Sequence, residues 1–225
     1  MKVKSQSKKI NKAWLNQHAN DPYVKMAKLD GYRARAAYKL KEIDETFNLL
    51  TPGDFVVDLG STPGAWSQYL RRRLSPDGAA TGKLNGHIVA LDLLDMAPID
   101  SVHFIKGDFC DERVLAELRT TMDEVQPGRL VDVVVSDMAP NLSGIESSDA
   151  ARIAHLIELA LEFSMATLKP NGTLVVKLFN GSGYGQLVAL FKQHLVVVKP
   201  IKPKSSRMKS SETFLLGRGL KRLSN

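Results

Sequence analysis

The chain has 225 residues, 44% hydrophobic and 24% charged, an ordinary globular composition that suits one domain with its own core. No apolar run reaches the ~18 residues of a membrane helix, the start MKVKSQSKKINKAW lacks the apolar stretch of a secretory signal, and the single Cys110 excludes an internal disulfide and fits a reducing cytoplasm. The net charge of +7 sits at the ends: residues 1–41 carry 11 Lys or Arg against two acids, residues 199–225 carry 8 against one, and the centre holds 12 bases and 21 acids.

The first ~40 residues hold helical pieces without strands. From there apolar runs alternate with helical stretches. DFVVDLG (54–60) predicts a strand and AWSQYLRRRL (65–74) the helix after it. GHIVALDLL (86–94) and VHFIKGDF (102–109) predict two more strands, then the helix DERVLAELRTTMDEV. RLVDVVVSDMAP (129–140) is a fourth strand. A long helix, SDAARIAHLIELALEFSMATL, stops at Lys169-Pro170-Asn171-Gly172. GTLVVKLF (172–179) is a fifth strand, GQLVALFKQH a helix, and LVVVKPI and ETFLLGRG two closing strands. Near-continuous Val, Ile and Leu runs mark strands buried on both faces, and their alternation with helices predicts a parallel, doubly wound sheet. The last connection is short, so one of the final strands is expected to run antiparallel.

Ligands in such sheets bind beyond the carboxyl ends of the strands. At those ends stand Asp58 with Gly60, then Asp92, Asp108, Asp137 and Lys177. The loop after the first strand is Gly60-Ser61-Thr62-Pro63-Gly64-Ala65-Trp66. It lacks two glycines of the G-x-G-x-x-G fingerprint, and Pro63 has no N–H to offer a pyrophosphate. A triphosphate loop, G-x-x-x-x-G-K-[ST], is absent as well. The loop favours a nucleoside ligand without phosphates. Asp92 suits two ribose hydroxyls, and Asp108 an adenine amino group. S-adenosylmethionine has these parts, with a sulfonium in place of phosphate, and an acidic pocket suits its positive charge.

The stretches DLGSTPGAW, ALDLLDM, GDF, SDMAPNLSG, VVKLFNG and SSETFLLGRG occur in one order and spacing. In these the sequence resembles the FtsJ/RrmJ family of ribose 2'-O-methyltransferases, and NDPYVKMAKLDGYRARAAYKLKEID resembles the N-terminal segment of its bacterial members. The resemblance covers about residues 14–217. It implies a Rossmann-like, class I S-adenosylmethionine-dependent fold, with a seven-stranded mostly parallel sheet and helices on both faces. It also implies a catalytic Lys-Asp-Lys-Glu set at Lys39, Asp137, Lys177 and Glu212, and cofactor contacts at Gly60, Gly64, Trp66, Asp92, Asp108 and Asp137. The implied substrate is a uridine 2'-hydroxyl in 23S ribosomal RNA on the assembled large subunit. The family loop usually reads D-L-G-A-A-P-G-G-W; here Ser61, Thr62 and Ala65 replace Ala, Ala and Gly, and Ala65 disfavours a positive φ at its position.

The chemistry agrees with these residue types. A ribose hydroxyl is a poor nucleophile, so a base or an acceptor that orients it would help an in-line displacement. Lys177 with Lys39 nearby can serve as base or as orienter; Asp137 and Glu212 favour the charged lysine, and sequence leaves both roles open. Lysine is rarely buried without reason, whereas Lys39 and Glu212 alone would read as surface charges and only the family pattern lifts them. Trp66 alone would read as core; within this loop it is expected to be a partly exposed wall beside the cofactor. Asp58 is expected to brace the loop. The five histidines lack metal-ligand spacing and read as structural, so no metal is expected. Cytosine C5 methylation would need a cysteine beside SDMAPN, and Cys110 lies elsewhere.

The whole chain, 1–225, is expected to be one domain, with the basic ends forming an RNA surface and Arg33, Arg35, Lys204, Arg207 and Lys209 contacting phosphates. A cytoplasmic monomer, without a membrane partner, is expected. Alternatives are a 2'-O-methyltransferase acting on transfer RNA and an RNA-binding assembly factor; the intact four-residue set disfavours the latter.

Overall fold

The computed structural model describes residues 20–141, 143–207 and 210–221. Helix α1 (Pro22–Leu29) starts at Asp21, whose carboxylate accepts the Tyr23 N–H, with Pro22 in its first turn. Helix α2 (Ala37–Phe47) stops where Asn48 turns left-handed. The alternation follows as β1 (Phe55–Leu59), α3 (Ala65–Arg73), β2 (His87–Asp92), β3 (Val102–Lys106), α4 (Glu112–Val125), β4 (Val131–Ser136), α5 (Glu146–Thr167), β5 (Leu168–Phe179), α6 (Tyr184–His194), β6 (Leu195–Ile201) and β7 (Glu212–Leu220).

The seven strands form one sheet in the order β3-β2-β1-β4-β5-β7-β6. β7 lies between β5 and β6 and runs antiparallel to both. The pairings among β1 to β5 are all parallel. The expected antiparallel strand is therefore β7, entering as the second arm of a hairpin with β6.

Three strand boundaries differ from the sequence reading by three residues or more, and one of them is the end of β4, at Ser136 and not Pro140. β3 stops at Lys106, not Phe109. The Gly107 N–H turns to the Asp92 carbonyl, and a Cβ on Gly107 would stand 2.6 Å from Val114 of α4. β5 begins at Leu168 instead of Gly172; the ladder skips between Val131 and Val133, which absorbs Lys169 to Gly172.

Alternation along each strand feeds two cores. Phe55, Val57 and Leu59 of β1 face Leu118 of α4, Ile157 of α5 and Phe191 of α6. Val56 faces the other way, with Leu40 and Ile43 of α2 and Trp66, Tyr69 and Leu70 of α3. The result is helix on sheet on helix. Among the described residues no helix is long and apolar enough to cross a membrane.

One buried carboxylate ties α2 to α3. Asp44, 2% exposed, accepts the Leu50 N–H at 2.9 Å, the Tyr69 hydroxyl at 2.6 Å and Arg73 Nε at 3.0 Å. Asp44→Ala would leave three donors without an acceptor. We expect a loss of about 3 kcal/mol, read as a fall in melting temperature of about 9 °C by calorimetry. A change under about 2 °C would show that Asp44 does not hold α2 in place.

Candidate active site

β1 and β4 are neighbours at the point where the strand order reverses, so the crevice of a doubly wound sheet opens at their carboxyl ends. Register decides which side chains meet there. Asp58 pairs with Val135 on one side and Ala90 on the other. Val135 pairs with Val175 in β5, so one alternation further on Asp137 stands beside Lys177. Lys177 pairs with Phe214, and Phe179 with Glu212, in the antiparallel ladder. Partners opposite each other and residues two apart share a face. Asp58, Asp92, Asp137, Lys177 and Glu212 therefore all stand on the α2/α3 side of the sheet.

The glycine loop is held closely. Gly60 has φ +75°, and a Cβ there would come within 2.7 Å of Met138 Cγ and 2.8 Å of its backbone nitrogen. Only glycine lets the two strand ends approach this far. The Thr62 N–H donates to Asp92 at 2.9 Å, and the Leu94 N–H to its other oxygen at 2.8 Å. Each Asp92 oxygen keeps lone-pair capacity. The left-handed conformation at the helix start falls on Gly64, φ +104°, and Ala65 already belongs to α3. The replacement of glycine by Ala65 thus costs the loop nothing.

Four side chains form two ion pairs. Lys177 Nζ lies 3.0 Å from Asp137 Oδ1, and the two are 10% and 20% exposed. Nζ also donates to the Asp137 carbonyl oxygen. Its approach to Oδ1 is off hydrogen-bond alignment, so that buried oxygen has no aligned donor. Lys39 Nζ donates to Glu212 at 2.7 Å, and the Ser206 hydroxyl to the other Glu212 oxygen at 2.9 Å. Burial pushes the Glu212 carboxyl up, but the Lys39 charge and hydrogen bond, Ser206 and the Lys177 charge outweigh it and hold it below the usual range.

A cavity of about 840 Å³ opens over these strand ends, lined by Gly60, Asp92, Asp108, Asp137 and Lys177 among others. This size suits a small-molecule site. Its far wall comes from Asn141 and from Ser148, Arg152 and His155 of α5. The sequence reading missed these four. Ser148, Arg152 and His155 lie about a turn apart on α5, and the sequence reading has His155 as structural and gives the other three no role. Arg152 donates to the Asn141 carbonyl at 3.1 Å and to the Ser148 hydroxyl at 3.0 Å, so the wall is tied together. Among the described residues no group of three or more metal-ligating side chains occurs.

Several expectations need correction. Trp66 is no exposed wall: it is 2% exposed, packs against Phe214 at 5.8 Å between centroids and donates to the Ala36 carbonyl at 2.8 Å. Its ring is core, and its N–H anchors the start of α2, which carries Lys39. Gly64 is buried under Arg33, Met96 and Ile99 and does not line the cavity. The Arg33 guanidinium is bonded to the carbonyls of Pro63, Ala97 and Pro98. Arg35 is paired with Asp21 and donates to the Ser205 carbonyl. The sequence reading assigns both arginines to phosphate; in the structure protein acceptors take three guanidinium N–H groups of Arg33, and Arg35 is held by Asp21 and Ser205. Lys204 is exposed, and Arg207 is one-third exposed, 3.9 Å from Asp21. Lys209 lies outside the described residues.

A seven-stranded sheet with one inserted antiparallel strand, a glycine loop and strand-end acids define a Rossmann-like methyltransferase. A family profile, FtsJ-like methyltransferase, matches residues 32–220, and the chain belongs to that family. It is 68% identical to the ribosomal RNA large subunit methyltransferase E of Acidovorax sp. (strain JS42), over 99% of each chain. It is also 68% identical to the protein of the same name from Delftia acidovorans, over 98% of this chain and 100% of that one. A crystal structure described as a ribosomal RNA methyltransferase from Plasmodium falciparum superposes with a TM-score of 0.73 at 27% identity, covering 84% of this chain and 98% of that one.

Asp58 remains apart from the cavity. It is fully buried, accepts the Ser67 hydroxyl at 2.6 Å, and its other oxygen has no donor. Burial, with the nearby charges of Asp137 and Asp92, pushes its carboxyl up to about 7 despite the Ser67 hydrogen bond. In the unfolded chain the proton leaves near pH 4. Folding thus takes up a proton between about pH 4 and pH 7, and the native state loses stability as pH rises through that window. We expect wild type to lose up to about 4 kcal/mol relative to Asp58→Asn between pH 4 and pH 8, measured by urea unfolding. Stability curves that run parallel over that range would contradict the assignment.

Proposed function

We propose that the chain transfers a methyl group from S-adenosylmethionine to the ribose 2'-hydroxyl of a uridine in 23S ribosomal RNA, on the assembled large ribosomal subunit. The observation that carries this reading is a pair of ion pairs at neighbouring strand ends: Lys177–Asp137 lines a nucleoside-sized cavity, and Lys39–Glu212 stands next to Lys177 without lining it. The names of the close relatives support the ribosomal substrate.

The residues present fit the cofactor. Gly60 leaves bare backbone against the cavity, both Asp92 oxygens can accept further bonds, and Asp137 Oδ1 is a buried acceptor without an aligned donor. Asp92 would hold the ribose hydroxyls, Asp108 the adenine amino group and Asp137 the positively charged end. When bound, the cofactor supplies an electrophilic methyl on a sulfonium.

The chain does the rest. Lys177 Nζ donates to the Asp137 carbonyl and lies 3.0 Å from the carboxylate as an ion pair. A remaining Nζ position would serve the target hydroxyl: a lone pair in the amine takes its proton, and an N–H in the ammonium orients its oxygen. Lys39 and Glu212 stand beside it as a fixed donor–acceptor pair suited to a ribose.

The basic ends have a place in this reading. Glu42 of α2 accepts the N–H groups of Lys204 and Ser205 at 2.6 and 3.0 Å. This docks the β6–β7 loop on α2, the helix of Lys39, so that described parts of the two basic segments meet there. We read residues 1–225 as one methyltransferase domain acting as a cytoplasmic monomer, with Lys204 and Arg207 as phosphate contacts.

Tritiated S-adenosylmethionine should label large subunits in preference to free ribosomal RNA or transfer RNA offered in parallel. The label should survive alkali in an uncleaved dinucleotide, because a methylated 2'-oxygen cannot attack its phosphodiester. Lys177→Ala should bind cofactor and RNA yet lose activity by about 100-fold or more. Wild-type rates in that variant, or label confined to transfer RNA, would overturn the assignment.

A further inference from the structure

Arg33 lies in the connection between α1 and α2, and three of its guanidinium N–H groups are bonded to backbone carbonyls. Nη1 donates to the Pro63 carbonyl at 3.0 Å and to the Ala97 carbonyl at 2.7 Å, and Nη2 to the Pro98 carbonyl at 2.9 Å. Its own N–H donates to Gln68 Oε1 at 2.7 Å, and Gln68 Nε2 returns to the Gly31 carbonyl at 3.2 Å. A second observation places the same side chain hard against the glycine loop. A Cβ on Gly64 would stand 2.6 Å from Arg33 Nη1, 2.9 Å from Ile99 and 3.0 Å from Met96.

The two turns it joins adjoin one part of the cavity wall. Thr62 lies beside Pro63, and Leu93 and Leu94 lead into Ala97 and Pro98; all three line the cavity. From the inner side Asp92 holds the Thr62 N–H at 2.9 Å. The Thr62–Pro63 turn is thus gripped by a carboxylate on one side and a guanidinium on the other. A planar fork can reach three carbonyls on two separate turns, whereas the single nitrogen of lysine would have to reach all three from one point.

We propose that Arg33 is a positioning residue for the cofactor half of the site: its fork fixes the 62–63 turn against the 97–98 turn and so sets cofactor affinity, without contacting RNA phosphate. This rests on the S-adenosylmethionine reading above. Arg33→Lys keeps the charge and loses the fork, so it separates a latch from a phosphate contact.

The test uses full-length wild type, Arg33→Lys and Arg33→Ala. S-adenosylhomocysteine affinity is measured by calorimetry, KM for cofactor and for RNA by methyl transfer, and RNA binding across a salt series. Both variants should bind S-adenosylhomocysteine about tenfold more weakly. Both should show a raised cofactor KM, kcat at saturating cofactor within about twofold of wild type, and an unchanged salt slope for RNA. Circular dichroism checks that each is folded, and Arg33→Lys carries the comparison if the alanine variant is not. Wild-type affinity in Arg33→Lys would overturn the proposal, as would a salt slope lowered by about one in Arg33→Ala. Wild type that fails to bind S-adenosylhomocysteine would overturn the cofactor reading first, and this proposal with it.

Discussion

Carboxylates crowd one edge of this sheet, and each must find a cation, a donor or a proton. That constraint organises the site. Asp58, Asp92 and Asp137 come from neighbouring parallel strands whose register sets them on the same face. Unpaired buried charge is costly, so each acid has a distinct settlement. Asp137 takes Lys177, and Asp92 takes two backbone N–H groups. Asp58 has one serine and a raised affinity for its proton. The fourth acid, Glu212, comes from the strand that runs the other way and brings its own lysine contact. Without β7 inserted beside β5, Glu212 would not reach the face that Lys177 occupies.

Much of this was legible in the sequence because it depends on period and order. Apolar runs gave the strands, glycine and proline gave the stops, and the short final connection gave the antiparallel strand. Asp92, Asp137 and Lys177 could be marked because a residue at the end of a buried strand has one place to go. Lys39 and Glu212 sit on elements whose position depends on long-range packing, and nothing local distinguishes them from surface charges. Only the resemblance placed them together.

The misreadings have a common physical cause: charge and aromaticity name a side chain's chemistry but not its partners. Arg33 and Arg35 belong to a strongly basic stretch, yet carbonyls and Asp21 occupy them. Trp66 follows a cofactor-type loop, yet its position in the first turn of α3 points it inward to Phe214 and Ala36. Arg152 and His155 carry no motif and no strand-end position that would mark them, and they lie on a 22-residue helix. Ser148, Arg152 and His155 in its N-terminal half line the cavity.

The connection between α1 and α2, with α2 itself, reaches both halves of the site. Arg33 and Ala36 bind the glycine-loop side through Pro63, the 97–98 turn and Trp66. Arg35 and Glu42 bind the β6–β7 loop, through Ser205 and the Lys204 N–H. Lys39 lies between these anchors and pairs with Glu212, while its ammonium sits 5.8 Å above the Phe214 ring. Phe214 in turn packs on Trp66 and pairs in register with Lys177. A displacement of α2 would therefore disturb the cofactor loop, the Lys39–Glu212 pair and the packing beneath Lys177 together. The segment from α1 to α2, which contributes no strand among the described residues, fixes the Lys39–Glu212 pair against the elements that surround Lys177.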